Sequence, residues 1–271
     1  MTGHRIARLT WFGGELRAAH VVWKREMTHL LRGRTRVALT LLQPLLVLLV
    51  LGTGLGALVP GNYRTFLFPG VLLMTVQTPA IAAGASLVWD REAGFLREML
   101  VAPVHRATLL LGKCAGGATV ATCQGALLLA LARTAGIPYD PLLLAALTAE
   151  LALASLALTS LTALAAVCIT RLHTFQAVLS FALMPMLFLS GAMFPLSGLP
   201  HWLLLLCLVN PLTYALDPLR QAIAHHAPHG GSTLSAWPLG HRPSAAVELA
   251  VTALIAVAAL TVAARRFARP D

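Results

Sequence analysis

Asp90-Arg-Glu-Ala-Gly-Phe-Leu-Arg-Glu-Met-Leu-Val-Ala-Pro-Val-His-Arg106 is a charged island between two long apolar runs. Phe95, Leu96, Met99 and Leu100 recur at helical spacing and gather on one side of a turn. Arg91, Glu92, Arg97 and Glu98 take most of the remaining surface. Pro103 then stops the helix, because it has no N–H to donate and clashes with the turn before it. With its flanks in lipid, the island lies at a membrane face. A surface helix over residues 90–105, tied at both ends to membrane spans, can receive force from a soluble partner.

The flanks do read as lipid-embedded. Of 271 residues, 58% are hydrophobic and 11% charged, and the mean hydropathy is +0.77. A soluble domain carries about 25% charged residues, so water is not the main solvent here. About 20 apolar residues cross about 30 Å of hydrocarbon. Six runs meet that length: 37–58, 66–89, 107–132, 141–170, 172–194 and 244–264. They lack the short alternating segments of a β-barrel. The fold class is therefore all-α, a polytopic membrane protein with six transmembrane helices. The first run begins only after Arg36 and exceeds a signal h-region, so no cleavable leader is expected.

The formal net charge of +10 is a topology signal. Sixteen of the 20 Lys and Arg fall on one side of the six runs. They lie before the first run, in or beside the 90–106 connection, at Arg171 and after the last run. Arg64, Arg133, Arg220 and Arg242 fall on the other side. The positive-inside rule then places both termini in the cytoplasm of a multi-pass protein of the cell membrane. Nucleic acid is not an expected partner.

Three domains of sequence follow. Residues 1–35 form a cytoplasmic segment, 36–264 the six-span domain and 265–271 a basic tail. Within the first, residues 11–32 carry Leu16, Trp23 and Met27 on one face and basic residues on others, the pattern of an amphipathic helix lying in the headgroup layer. Pro44, Pro69, Pro79 and Pro185 fall inside spans. Between the last two runs, residues 195–220 are too apolar for an open loop, and Leu203 to Val209 is too short to cross. This region reads as re-entrant helices on the outer face. Asp217 and Arg220 are spaced to pair on one helical face. Residues 225–243, with His225, His226 and His229, read as a flexible outer loop with no fixed metal geometry.

Glu150 is an ionisable group inside a span, which makes it either a functional candidate or a side chain snorkelling to the outer headgroups. Glu248 sits four residues into the last run and is expected at the interface. Cys114, Cys123, Cys168 and Cys207 lack metal spacing and read as packing residues. No phosphate-binding loop is present: Gly112-Lys113 is followed by Cys114, and position 107 is Ala. No metal site, catalytic residue or cofactor bound by this chain is expected, and energy must come from a partner.

The chain resembles the membrane subunit of type-2 ABC exporters (the ABC-2 family), in particular the daunorubicin-resistance and nodulation-factor exporter permeases. Arg91 to Arg106 resembles the family's Arg-Glu-x-Gly-Thr-Leu-x-x-Leu-Leu-x-x-Pro-x-x-Arg loop, with Phe95 and Met99 in place of Thr and Leu. Ser190-Gly-Ala-Met-Phe-Pro195, Leu199-Pro-x-Trp202, Asn210-Pro-Leu-Thr-Tyr214 and Asp217-Pro-Leu-Arg220 follow in the family's order. The resemblance implies that residues 90–105 are a coupling helix seated on a cytoplasmic ATPase, with Arg91, Glu92, Gly94, Phe95, Leu96, Arg97, Glu98, Met99, Leu100 and Pro103 as its contact. Residues 11–32 become the connecting helix, through Leu16, Trp23 and Met27. Phe194, Pro195, Trp202, Asn210, Pro211, Tyr214, Asp217 and Arg220 become the outer gate. It further implies ATP and Mg on the ATPase, a second permease subunit, identical or not, contact with membrane lipid, and export of an amphipathic or lipid-like molecule such as a drug, glycolipid or polymer.

Three rivals stand beside it. A proton-coupled secondary transporter would use Glu150. An intramembrane enzyme would use His173 or His201, and a non-transporting anchor would hold an ATPase complex.

Overall fold

The computed structural model describes residues 3–57, 63–94, 105–194, 196, 199–226 and 243–268. Helices run through Gly3–Arg32 (α1), Arg34–Gly54 (α2), Tyr63–Glu92 (α3), Arg106–Leu129 (α4), Pro141–Cys168 (α5), Leu172–Leu189 (α6), His201–Val209 (α7), Pro211–His226 (α8) and Ala245–Ala268 (α9). No strand occurs among the described residues. The all-α polytopic expectation holds.

α3 is the centre of the bundle. Leu67, Phe68, Val71, Leu72, Leu73 and Val76 are all fully buried, so the first half of α3 is packed nearly all round. α2, α4, α5, α6 and α8 surround it, and α9 packs on the far side of α5. The chain continues as helix through Pro44, Pro69, Pro79 and Pro185.

Among the described residues five helices, α2, α3, α5, α6 and α9, are long and apolar enough to cross a membrane. α4 is not in that set, although its sequence was expected to span. It has 24 residues, about 36 Å at 1.5 Å per residue, so length is not the reason. It carries Lys113, Gln124 and the glycines 112, 116, 117 and 125, all buried. A helix walled in by α1, α3 and α5 contacts little lipid and needs close approach more than bulk. Its ends show its reach: Lys113 bonds Asp90 near the end of α3, and just beyond its other end Ala135 accepts a 2.7 Å hydrogen bond from Thr65 at the start of α3. α4 therefore runs the same height as α3, antiparallel to it.

Helix ends follow local chemistry. The Asp140 side chain accepts from Leu142 N at 3.0 Å and caps α5, with Pro141 in its first turn. α6 stops at Leu189, five residues before the expected limit at 194. There the Ser190 hydroxyl donates to Leu187 O at 2.7 Å, and Gly191 turns the chain at φ 79°, a conformation that favours glycine.

α7 and α8 meet at 85° across Asn210. α7 has nine residues, about 14 Å, which cannot cross a bilayer. Residues 195–220 were expected as re-entrant helices; the structure gives two helices bent at Asn210. Pro195, Ser197 and Gly198 lie outside the described residues, as does most of the expected outer loop (227–242), whereas His225 and His226 end α8.

Candidate functional site

The residues that carry the sequence resemblance converge on two ends of the bundle. One end bears the 95–104 connection. Phe95, Leu96, Arg97, Glu98, Met99, Leu100 and Pro103 lie outside the described residues, but both anchors of the connection are defined. Asp90, Arg91 and Glu92 are not part of a separate surface helix: they are the last turn of α3. Gly94 then closes that helix at φ 71°, where any side chain would be strained.

Each of the three charges holds a different neighbour. Arg91 Nη1 donates to Val167 O at 3.2 Å, one of the last carbonyls of α5. Glu92 Oε1 accepts from Leu172 N at 3.0 Å, an otherwise open donor at the start of α6. Asp90 points inward and is buried with Lys113 of α4. Lys113 Nζ bonds Asp90 Oδ2 directly and Ser86 Oγ at 3.2 Å. Arg25 of α1 approaches Asp90 Oδ1 to 3.6 Å. One helical turn thus grips α1, α4, α5 and α6.

The return anchor is held as well. Glu15 of α1 accepts from His105 N at 2.9 Å and from the Thr108 hydroxyl. The Thr108 bond, then the His105 amide, hold the Glu15 carboxyl below the usual carboxylate range. A lowered folded value means the contact is fully present at neutral pH and is lost as pH falls through that value. Glu15→Gln should therefore speed hydrogen exchange at the His105 amide at pH 7, and the difference should shrink in acid. Equal exchange at both pH values would remove Glu15 as an anchor.

The sequence grouped Leu16, Trp23 and Met27 on one face of a helix lying in the headgroup layer; in the structure Leu16 is 72% exposed. The stripe that packs is Glu15, Ala19, Val22, Trp23 and Glu26, which lies along the first half of α4. Gly112 faces Ala19 and Val22, and Gly116 faces Trp23 and Glu26. Trp23 Nε1 donates to Thr119 Oγ1 at 3.1 Å, and Met27 is partly buried. The two glycines cut a groove that accepts α1 backbone, so small size outcompetes the apolar pattern. Leu16 is left on the outer surface, where lipid can cover it.

At the opposite end, Asn210 organises the bent helices. Its Nδ2 donates to Met186 O of α6 at 2.6 Å, and its Oδ1 accepts from Leu212 N at 3.1 Å. Tyr214 OH donates to Leu208 O at 2.9 Å, which locks α8 to α7. Arg220 donates to Gly191 O and lies 4.3 Å from the centroid of the Phe66 ring, a cation–π distance. Tyr63 OH donates to Met193 O at 2.8 Å. Phe194 is partly buried and Trp202 exposed, with Pro211 partly buried in the first turn of α8.

Glu248 adds a buried acid that sequence alone did not pair. It is 0% exposed, covered by protein at the start of α9, and accepts from Gln221 Nε2 at 3.0 Å; the same Gln221 nitrogen also donates to Asp217 Oδ2 at 3.2 Å. Glu150 is partly buried, and its Oε2 has no hydrogen-bond partner among the described residues. The Asp90–Lys113 contact was missed by the sequence reading. Its one signal was a Lys inside an apolar run, which calls for a carboxylate at the same depth.

The sequence model of the ABC-2 type transporter family matches residues 17–224. Transport permease ycf38 of Cyanophora paradoxa is 30% identical over 214 residues, covering 76% of this chain and 73% of that protein. Multidrug ABC transporter permease YbhR of Escherichia coli strain K12 is 30% identical over 181 residues, 66% of this chain and 49% of YbhR. Nodulation protein J of Rhizobium leguminosarum bv. trifolii is 29% identical over 238 residues, 83% of this chain and 87% of that protein. The match reaches from α1 into α8 and takes in the anchored 95–104 connection and the Asn210 bend. On that ground the chain belongs to the ABC-2 type transporter family and is a membrane permease subunit of an ABC transporter.

Proposed function

We propose that this permease pairs with a second permease subunit and with cytoplasmic ATPase chains that bind ATP and Mg, and that the assembly exports an amphipathic or lipid-like substrate. The observation that carries the reading is the anchoring of the 95–104 connection: a push there is delivered to α1, α4, α5 and α6 at once. Residues 95–104 are the proposed ATPase contact, with Phe95, Leu96, Met99 and Leu100 as its apolar side. Arg91 and Glu92 act one step behind it, as the hinge that passes motion to the α5–α6 junction. The charge asymmetry supports cytoplasmic placement of this end and of both termini. Asn210, Tyr214, Asp217 and Arg220 belong to the proposed outer gate, and ATP-driven closure shifts the pair between inward-open and outward-open packings.

The test is a gentle-detergent pull-down from native membranes, assayed for ATP hydrolysis. Leu96→Asp inserts a charge into an apolar contact at about 1–3 kcal/mol, which lowers its occupancy about 5- to 150-fold. Hydrolysis should co-purify with the native chain and be lost with Leu96→Asp. Charge reversal at Arg91 or Glu92 should leave hydrolysis intact while transport falls, because the hinge is cut behind the contact. Normal transport in all three variants sinks the coupling assignment.

The unpartnered Glu150 oxygen keeps a second reading alive, a proton-coupled transporter. That reading requires transport without ATPase and its loss in Glu150→Gln.

A further inference from the structure

The last turn of α8 ends on His226, and both nitrogens of its ring face acceptors. Nδ1 lies 3.0 Å from Ala222 O, and Nε2 lies 3.4 Å from Asp140 Oδ2. A neutral imidazole has one N–H and one lone pair, so either tautomer turns a lone pair toward an oxygen. Only the imidazolium offers an N–H to both. The charged ring therefore keeps both contacts, and the neutral ring loses one.

Asp140 joins two elements. Its Oδ1 accepts from Leu142 N at 3.0 Å and caps α5, while its Oδ2 faces α8. The two side chains, His226 and Asp140, are 31% and 40% exposed, so water can deliver and remove the proton. The other ionisable groups on the elements packed against α8 hold different partners or stand apart. On α8 itself, Asp217 accepts from Gln221, Arg220 donates to Gly191 O and Tyr214 to Leu208 O. Glu248 of α9 also accepts from Gln221. Tyr63 of α3 donates to Met193 O and Arg64 to Gly52 O. Tyr139, just before α5, donates to Ala130 O. Arg133, His201 and His225 are exposed, Glu150 lies deeper in α5, and α6 adds only His173, at its far end. Among the described residues none of these makes an ion pair with His226 or Asp140.

We propose that His226 and Asp140 form a proton-operated clamp between α8 and α5. Acid fastens the bent helices to the bundle, and neutral or alkaline water releases them. An imidazole changes charge between about pH 5 and 8. The protonated ring makes the contact, so the contact is present at the acid end of that window and is lost as pH rises through it. α8 carries part of the proposed outer gate, so the clamp sets how readily that gate moves. It rests on the export reading only for the compartment whose pH is sensed.

Hydrogen exchange of the permease in lipid nanodiscs, read at the 223–226 amides, tests it. Asp140→Asn removes the charge and keeps an oxygen to cap Leu142 N. Comparing variant with native chain at one pH cancels the intrinsic pH dependence of exchange. At about pH 5.5 the variant should exchange about 2- to 5-fold faster, the range for an exposed ion pair. At about pH 8 the two should agree. Equal rates in acid, or the same ratio at both pH values, overturns the clamp. If exchange at Leu142 also rises, or the variant fails to fold, His226→Gln decides. With no proton to gain, its ratio to the native chain must differ between the two pH values, and a constant ratio overturns the clamp.

Right-side-out membrane vesicles identify the compartment. With the interior held neutral, acid outside alone should raise the Asp140→Asn ratio. A ratio that follows the interior instead keeps the clamp and overturns the proposed orientation of the bundle. A ratio that follows neither overturns the clamp. Co-purification of an ATPase with the chain is untouched by any of these results.

Discussion

Lys113→Met is expected to destabilise the permease by about 3 kcal/mol, a large share of what holds the helices together. The variant keeps the volume and removes the cation, so the buried Asp90 loses its direct partner. Orphaning a buried charge costs about 3–5 kcal/mol. The low end applies because Arg25 remains 3.6 Å from the same carboxylate, although its side chain is 39% exposed and screened by solvent. Asp90→Leu leaves Lys113 behind and should cost a similar amount. The double variant Asp90→Leu/Lys113→Met is the informative one. With neither charge left, most of the loss should be recovered, since a buried pair is often replaceable by packed apolar groups. Melting of the detergent-solubilised chain reads all three. A native melting temperature in Lys113→Met would mean that the pair contributes nothing to joining α3 and α4.

Gly70→Val should cost about 2–3 kcal/mol, toward the upper part of the range for overpacking. A Cβ at Gly70 would sit 2.6 Å from Ala192 O, 2.8 Å from its Cβ and 3.0 Å from its carbonyl carbon. Two of these three atoms are backbone, in the turn that ends α6, so no side-chain rotation relieves the clash. That turn also contains Gly191, whose carbonyl accepts from Arg220, so α6, α8 and the proposed outer gate should loosen together. Hydrogen exchange across 190–194 should rise along with the fall in melting temperature. Gly54→Ala is the control. Nothing lies within 4 Å of its Cβ position, and replacing a helical glycine with alanine gains up to about 1 kcal/mol. Opposite signs for the two glycines are the expected result; equal effects would mean that α3 does not approach the Ala192 turn closely.

These two sites differ in how far they were visible beforehand. Gly112 entered the sequence reading only through the failed phosphate-loop match and Gly116 not at all; what they admit, the Ala19–Glu26 face of α1, lies about 90 positions away in the chain. The spacing that put Leu16, Trp23 and Met27 on one face identifies an amphipathic helix without identifying which neighbour it meets. Glu248 sits near the start of α9, where a short path to the headgroups was expected. Gln221 of α8 covers it instead, and no local pattern announces that.

Composition and spacing did determine the apolar runs, the charged island that begins at Asp90, the uneven distribution of Lys and Arg, and the break at Asn210-Pro211. Each depends on local quantities: the transfer free energy of some 20 residues, the charge at a span's end, or the missing donor of a proline. Only the tertiary structure decided that Asp90 turns inward to Lys113, that Arg91 and Glu92 hold the α5–α6 junction, and that a glycine-rich helix with a buried Lys runs the full height of the bundle. Those outcomes depend on which groups come within about 3 Å of each other across distant segments. A buried charge must find a partner, but its own neighbours in sequence do not say which one.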